Sequence, residues 1–373
     1  MKIVSIVGAR PQFIKAAAVS RKLREKHQEF LVHTGQHYDY EMCGIFFDGL
    51  ELPKPEANLG IGSGSHGFQT GSMLKAVEDL LFAERPDYVL IYGDTNSTLA
   101  GALAASKLSV PIAHVEAGLR SFNRHMPEEI NRVVADHLSS LFLCPSETAV
   151  VNLRAEGIVR NVHLVGDVML DVLHWAKQRA QSNQSSVLKR IGLNKQNYLV
   201  ATVHRSENTD DMEKFTSILH ALNSVEQPVV FPVHPRSRKV MAEMGFEPKP
   251  HLKLIDPLGY VDMIALIGSA QLVLTDSGGL QKEAYWLKIP CLTMRSETEW
   301  VETVEAGWNV LVGADREAIV AAAKSFSPPS LHPALYGDGA AADKCVNLLN
   351  AGPETVGRAR KTKHENSNCT IQN

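Results

Sequence analysis

Short apolar runs alternate along the chain with longer amphipathic stretches. The runs at residues 3–7, 30–33, 88–92, 112–116, 141–145 and 162–165 predict strands. Between them, residues 13–25, 70–83 and 96–108 carry the spacing of helices with one buried face. Strand and helix alternating at this interval predict a parallel sheet covered on both faces. The pattern weakens over 175–196, where the polar stretch 181–186 predicts a linker or exposed turn. A second series then begins, with strands expected at 198–203, 229–233, 252–254, 272–275, 291–294 and 310–312. The reading is α/β: two successive doubly wound, Rossmann-like domains, 1–168 and 169–334, facing a shared cleft. Ligands of such sheets sit at the carboxyl ends of the strands.

Length agrees, since 373 residues is about two domains. The formal charge of −3 leaves no basic field for nucleic-acid phosphates, so no nucleic-acid partner is expected. No apolar run approaches the roughly 20 residues of a membrane span, so no membrane insertion is expected either. The N-terminus reads as a first strand and not as a signal peptide. Five scattered cysteines (Cys43, Cys144, Cys291, Cys345, Cys369) suggest a reducing, cytoplasmic setting and no zinc site. Residues 351–373 form a polar tail whose cations, Arg358, Arg360, Lys361 and Lys363, suit a frayed terminus.

Chemistry concentrates at the predicted strand ends. The first run leads into Gly8-Ala9-Arg10-Pro11-Gln12-Phe13-Ile14-Lys15. Pro11 suits a first helical turn, whose free N–H groups bind anions, with Arg10 and Lys15 adding positive charge. The other reading is a tight turn with surface cations. Tyr92-Gly93-Asp94-Thr95 follows another strand, where Asp94 either caps a helix or works in a site. Glu116, in His114-Val115-Glu116-Ala117-Gly118-Leu119-Arg120, ends an apolar strand, where a carboxylate needs a reason to be. In Met126-Pro127-Glu128-Glu129-Ile130-Asn131-Arg132 the two carboxylates enter a first helical turn. Glu128 and Arg132 there are spaced for a plain surface ion pair. Asp94, Glu116 and Glu128 together can supply an acid and a base. The glycine-rich stretch 60–67 lacks the context of a dinucleotide fingerprint and reads as a loop over the cleft.

In the second half, Thr202-Val203-His204-Arg205 and Val233-His234-Pro235-Arg236 follow strands. His204 is placed either for a phosphate or as a satisfied buried histidine. Leu274-Thr275-Asp276-Ser277-Gly278-Gly279 runs from a strand straight into a helix, which lets backbone N–H groups approach a diphosphate. Glu283, one turn in, is placed to accept ribose hydroxyls.

In this order the motifs resemble the non-hydrolysing UDP-N-acetylglucosamine 2-epimerase family, from residue 1 to about 313. They include His33-Thr34-Gly35-Gln36-His37 and Pro127-Glu128-Glu129. The resemblance implies a glycosyltransferase-B fold in a homodimer, with a last helix near 335–350 crossing back to the first domain. It implies a cofactor-free isomerase acting on a UDP-aminosugar: a base takes the C-2 proton as UDP leaves C-1. UDP then re-adds to the bound 2-acetamidoglucal, and C-2 is reprotonated on the other face. Asp94, Glu116 and Glu128 become the acid–base candidates, with His204 counted among the catalytic groups. Arg10, Lys15, Arg132, Ser277, Gly278, Gly279 and Glu283 become the UDP-binding set.

The chain departs from the simple 2-epimerases at Trp300, where an Arg is usual, and at Leu258 and Met263, which replace residues framing uracil. It also departs in the basic segment Ser121-Phe122-Asn123-Arg124-His125. These features resemble the sub-branch acting on UDP-2,3-diacetamido-2,3-dideoxy-D-glucuronate for O-antigen synthesis. Arg124 or His125 is then placed to pair with the sugar's C-6 carboxylate, unless it is a plain surface cation. UDP-N-acetylglucosamine is the alternative substrate, and a glycosyltransferase of the same fold the alternative of another class.

Overall fold

The computed structural model describes residues 1–36, 49–193 and 197–351. His37, Cys43, Cys369 and the tail from residue 352 lie outside the described residues. Strands β1 (Lys2–Val7), β2 (Gln28–His33), β3 (Ala57–Asn58), β4 (Tyr88–Tyr92), β5 (Ile112–Val115), β6 (Leu141–Cys144) and β7 (Val162–Leu164) form one sheet. Its order is β3-β2-β1-β4-β5-β6-β7, with parallel pairing throughout. A second parallel sheet holds β8 (Leu199–Thr202), β9 (Val229–Pro232), β10 (Leu252–Ile255), β11 (Leu272–Thr275), β12 (Cys291–Thr293) and β13 (Asn309–Leu311). Its order is β10-β9-β8-β11-β12-β13. These are two doubly wound α/β units. Helices cover both faces of each sheet, so a strand such as β4 is buried at every position and reads as a continuous apolar run.

Strand order reverses between β1 and β4 in the first sheet and between β8 and β11 in the second. At such switch points adjacent loops diverge and open a crevice beyond the strands' carboxyl ends.

The stretch expected to be a linker is helical. The helix Val168–Ile191 runs through residues 181–186 without a break. Asp167 caps its start by accepting the Met169 N–H, and Gly192 ends it in the left-handed region at φ 68°. Lys, Arg and Gln are good helix formers, and burial of Val172, Leu173 and Ala176 near one end and Val187 and Leu188 near the other supplies the packing. The glycine-rich stretch 60–67 is a second correction. It runs beside the end of β2, with Ile61 donating to Thr34 O and Gly62 to Gly35 O, and it contributes nothing to the cleft wall.

One core joins the first strand to the last described helix. Ala341, Ala342, Cys345, Val346 and Leu349 of the helix Ala341–Ala351 are buried with Ile3, Val7 and Phe13, and with Val172 and Leu173 of the long helix. Tyr260 and Ile264 enter the same cluster from the second unit. No helix among the described residues is long and apolar enough to cross a membrane.

Candidate active site

The first wall of the cleft is built by turns after β1, β4 and β5. Gln12 Oε1 accepts from the backbone N–H groups of Gly8 (2.8 Å) and Ala9 (3.1 Å), while its Nε2 donates to Tyr92 O at 2.9 Å. One buried amide thus clasps the ends of β1 and β4. Gly93 then turns the chain at φ 60°; a Cβ there would lie 3.1 Å from Lys15 Nζ and 3.2 Å from Glu116 Oε2. Glu116 itself sits at φ 71°, a region non-glycine residues seldom occupy. Its N–H donates to Leu143 O at 3.0 Å.

The two carboxylates on this wall each meet cations. Asp94 Oδ2 accepts from Arg132 Nε (3.0 Å) and Nη2 (2.6 Å). Arg132 also donates to Glu129 Oε2 at 3.0 Å. Glu116 is bonded to Lys15 through one oxygen, and its other lies 3.4 Å from Lys282 Nζ. Burial works against the Lys15 ammonium, but Glu116 and Asp94 outweigh it and hold its pKa above the ordinary value. Lys15 and Arg132, expected to hold UDP, are therefore engaged first by the site's own carboxylates.

Glu128 and Glu129 are separated by one helical step, and the step decides their fates. Glu129 is buried on the helix Pro127–Leu138, whereas Glu128 is exposed. The Glu128–Arg132 surface pair weighed from spacing does not form; Arg132 pairs with Glu129 and Asp94. Glu129 also accepts from the N–H groups of Ser121 (2.8 Å) and Phe122 (3.0 Å), which folds the 121–125 segment against the helix start. Arg124 and His125 are exposed there.

The second wall rests on backbone N–H groups. Asp276, buried after β11, accepts from the N–H groups of His204 (3.0 Å) and Arg205 (2.9 Å) and from Asn208 Nδ2 (3.2 Å). This fixes the turn after β8 beside Ser277-Gly278-Gly279, where the helix Gly278–Trp286 begins. A Cβ on Gly278 would meet Glu299 Oε1 at 2.6 Å and Trp300 Nε1 at 3.1 Å, so only glycine lets those side chains close over the helix start. Enclosure in the cleft, with Arg10, Arg205 and Arg236 nearby, outweighs Asp276 and lowers the His204 pKa. Burial pushes the Glu283 carboxyl up to about 7. Glu299 shows the opposite shift: burial is outweighed by Arg295, Arg205 and Arg132, which bring it down to about 2.

Both walls line one cavity of about 420 Å³. Arg10, Lys15, Asp94, Glu116 and Arg132 come from one side, and His204, Ser277, Gly278, Gly279 and Glu283 from the other. Leu258, Met263 and Trp300 line it as well. Among the described residues on its walls, Glu128, Arg124 and His125 do not occur. Sequence reasoning missed Lys282. Its Nζ is buried, paired with Asp167 and near Glu116, and lies 3.6 Å from the Trp300 ring centroid. The one available signal was the position of Gln281-Lys282-Glu283, one turn into a ligand-facing helix. Among the described residues, no group of three or more His, Cys, Asp or Glu is placed to hold a metal ion.

The chain matches the family model described as UDP-N-acetylglucosamine 2-epimerase over residues 21–350. It is 53% identical over 354 residues to the UDP-N-acetylglucosamine 2-epimerase homolog of Methanococcus maripaludis, covering 94% of this chain and 99% of that protein. It is 51% identical over 360 residues to the UDP-2,3-diacetamido-2,3-dideoxy-D-glucuronate 2-epimerase of Pseudomonas aeruginosa, with coverage of 94% and 99%. The crystal structure of Methanocaldococcus jannaschii UDP-GlcNAc 2-epimerase in complex with UDP-GlcNAc and UDP aligns with a TM-score of 0.89 at 40% identity, covering 94% of this chain and all of that one. The calicheamicin glycosyltransferase CalG4, at 13% identity and a TM-score of 0.51, shares the fold alone, covering 94% of this chain and 93% of its own. With a family model spanning most of the sequence and relatives above half identity along nearly their whole length, the chain belongs to the UDP-N-acetylglucosamine 2-epimerase family.

Proposed function

We propose that the protein epimerises C-2 of a UDP-2-acetamido sugar by eliminating and re-adding UDP, without a cofactor. One observation carries this reading: an anion-binding helix start and two carboxylates face each other across a single cavity. Arg10 and the N–H groups of Gly278 and Gly279 hold the diphosphate, with His204 beside it, and stabilise the charge that grows as UDP departs. Glu283 accepts the ribose hydroxyls, and Leu258 and Met263 border the uracil. Asp94 and Glu116 exchange protons with C-2. Lys15 and Arg132, already beside these carboxylates, stabilise their ionised forms and turn to the diphosphate as it separates. Two faces of C-2 need two proton-transfer groups. Glu128 is the third candidate; it joins only if domain closure carries the start of the Pro127–Leu138 helix over the sugar.

The substrate we assign is UDP-2,3-diacetamido-2,3-dideoxy-D-glucuronate, with Arg124 or His125 meeting its C-6 carboxylate after the same closure. The Pseudomonas relative supports this assignment. The UDP-GlcNAc complex of the Methanocaldococcus relative favours UDP-N-acetylglucosamine as the second reading. We further propose a cytoplasmic homodimer; Phe68 and Phe82, both exposed on the helix His66–Glu84, are side chains such a contact would cover.

Incubation in heavy water with each UDP-sugar tests the reaction. Deuterium entering C-2 together with a manno-configured product is the expected result, and the faster sugar identifies the substrate. Tight UDP binding without exchange for either sugar would sink the epimerase reading and direct the search to a glycosyl acceptor.

A further inference from the structure

We infer that His114 is a buried imidazolium that positions both acid–base carboxylates without touching the substrate. His114 lies in β5 and is completely buried. Both ring nitrogens face acceptors: Nε2 is 2.8 Å from the Gly93 carbonyl oxygen, and Nδ1 is 2.7 Å from Asp136 Oδ1. A carbonyl oxygen has no proton to give, so Nε2 must donate. The Arg120 guanidinium, which donates to Asp136 Oδ2 at 2.7 Å beside the Gly118 N–H at 3.1 Å, favours the ionised acid. Nδ1 therefore donates as well, and the ring carries two protons and a positive charge.

The charges close on themselves. His114 and Arg120 are the cations, and Asp136 and Glu156 are the anions; Arg120 reaches Glu156 at 2.7 and 2.9 Å. A balanced buried cluster avoids the cost of an isolated charge. Its reach explains its use. The Gly93 carbonyl belongs to the peptide that leads into Asp94, and the Gly118 N–H lies two residues after Glu116. One His–Asp pair thus pins the turns that carry both carboxylates, including the strained backbone at Glu116. Neither His114 nor Asp136 lines the cavity. His114 is accordingly a positioning residue, a role that rests on the acid–base reading of Asp94 and Glu116.

Nitrogen-15 NMR of the full chain labelled at histidine decides the charge state, with the signal assigned by its loss in His114→Gln. At pH 8 the expected result is two protonated ring nitrogens, both held by the acceptors they face, with slowly exchanging N–H signals. One unprotonated ring nitrogen at that pH would overturn the inference. His114→Gln donates from a single nitrogen and puts an acceptor oxygen where the imidazolium has its second N–H. Its kcat for C-2 exchange is expected to fall about 100-fold, the scale of a small misplacement of reacting groups, with UDP affinity held within a few-fold. Unchanged kcat per folded molecule, with loss confined to thermal stability, would overturn the positioning role. If the wild type shows no C-2 exchange at all, the acid–base reading fails, while the NMR result still decides the charge on His114.

Discussion

On the first wall of the cleft, Asp94 and Glu116 are met by side-chain cations: Arg132 for one, Lys15 and Lys282 for the other. On the second wall the recurring elements are backbone N–H groups, gathered by Asp276 at the His204–Arg205 turn and left for a ligand at Gly278-Gly279. The contrast fits the task proposed for each wall. A group that exchanges protons must be a titratable side chain, and nearby cations set which form it prefers. A diphosphate stays anionic and gains charge as it leaves, without exchanging a carbon-bound proton, so fixed dipoles on a rigid turn suit it. On the proposed mechanism, proton transfer falls to the first wall and most of the diphosphate binding to the second, with Arg10 reaching from the first wall.

The sharpest way to break this division is Asp94→Asn or Glu116→Gln. Each is expected to lower kcat by about 10³-fold, within the range of general acid–base catalysis, while UDP affinity by calorimetry changes by no more than a few-fold. A parallel loss of UDP affinity would show that the walls are not separable. Next in size is Lys282→Met. It leaves Asp167 with its cap bond but no cation and removes one cation from Glu116, and breaking a buried pair of this kind costs about 3–5 kcal/mol. Urea unfolding would show that loss; a change near zero would mean that the cross-domain pair does not hold the walls together.

A smaller effect appears with pH. The Glu283 carboxyl titrates near 7, well above its ordinary range. If it accepts ribose hydroxyls, UDP affinity is full above about pH 7 and weakens on acidification, by up to about tenfold per pH unit. Stability of the UDP-free protein responds with the opposite sign. Its native state takes up this proton before the unfolded chain does, so the Glu283 contribution rises as pH falls from about 7 toward the ordinary carboxylate range. Glu283→Gln should flatten both curves. Smallest is Arg124→Ala, an exposed pair of at most ~1 kcal/mol. It should slow the glucuronate about fivefold more than UDP-N-acetylglucosamine, and equal losses on the two sugars would remove Arg124 from substrate choice.

The sheet skeleton was legible because doubly covered parallel strands are unbroken apolar runs, and the runs chosen from pattern fall on twelve of the thirteen strands described. The exception, β3, is too short to show a period. The helix Val168–Ile191 was hidden by the polar run at 181–186, which carries no apolar period. Motifs at strand ends led to Asp94, Glu116 and the Ser277 turn, because a polar residue closing an apolar strand has few other uses. Partners distant in sequence left no such mark. Lys282 reads as an ordinary helix cation until folding places it beside Asp167, 115 residues away. The orientation of Glu128 against Glu129 likewise depends on where one helix lies against the sheet.

The return of the helix Ala341–Ala351 to the first sheet has a consequence for biosynthesis. A ribosome releases the contiguous core from Leu199 to Ile319 before it releases the residues that finish the N-terminal core. The half made first is therefore completed last, and its early strands must wait through most of translation with part of their apolar surface uncovered. A premature stop just before Ala341 would leave the later-made core whole and remove five buried side chains from the earlier one.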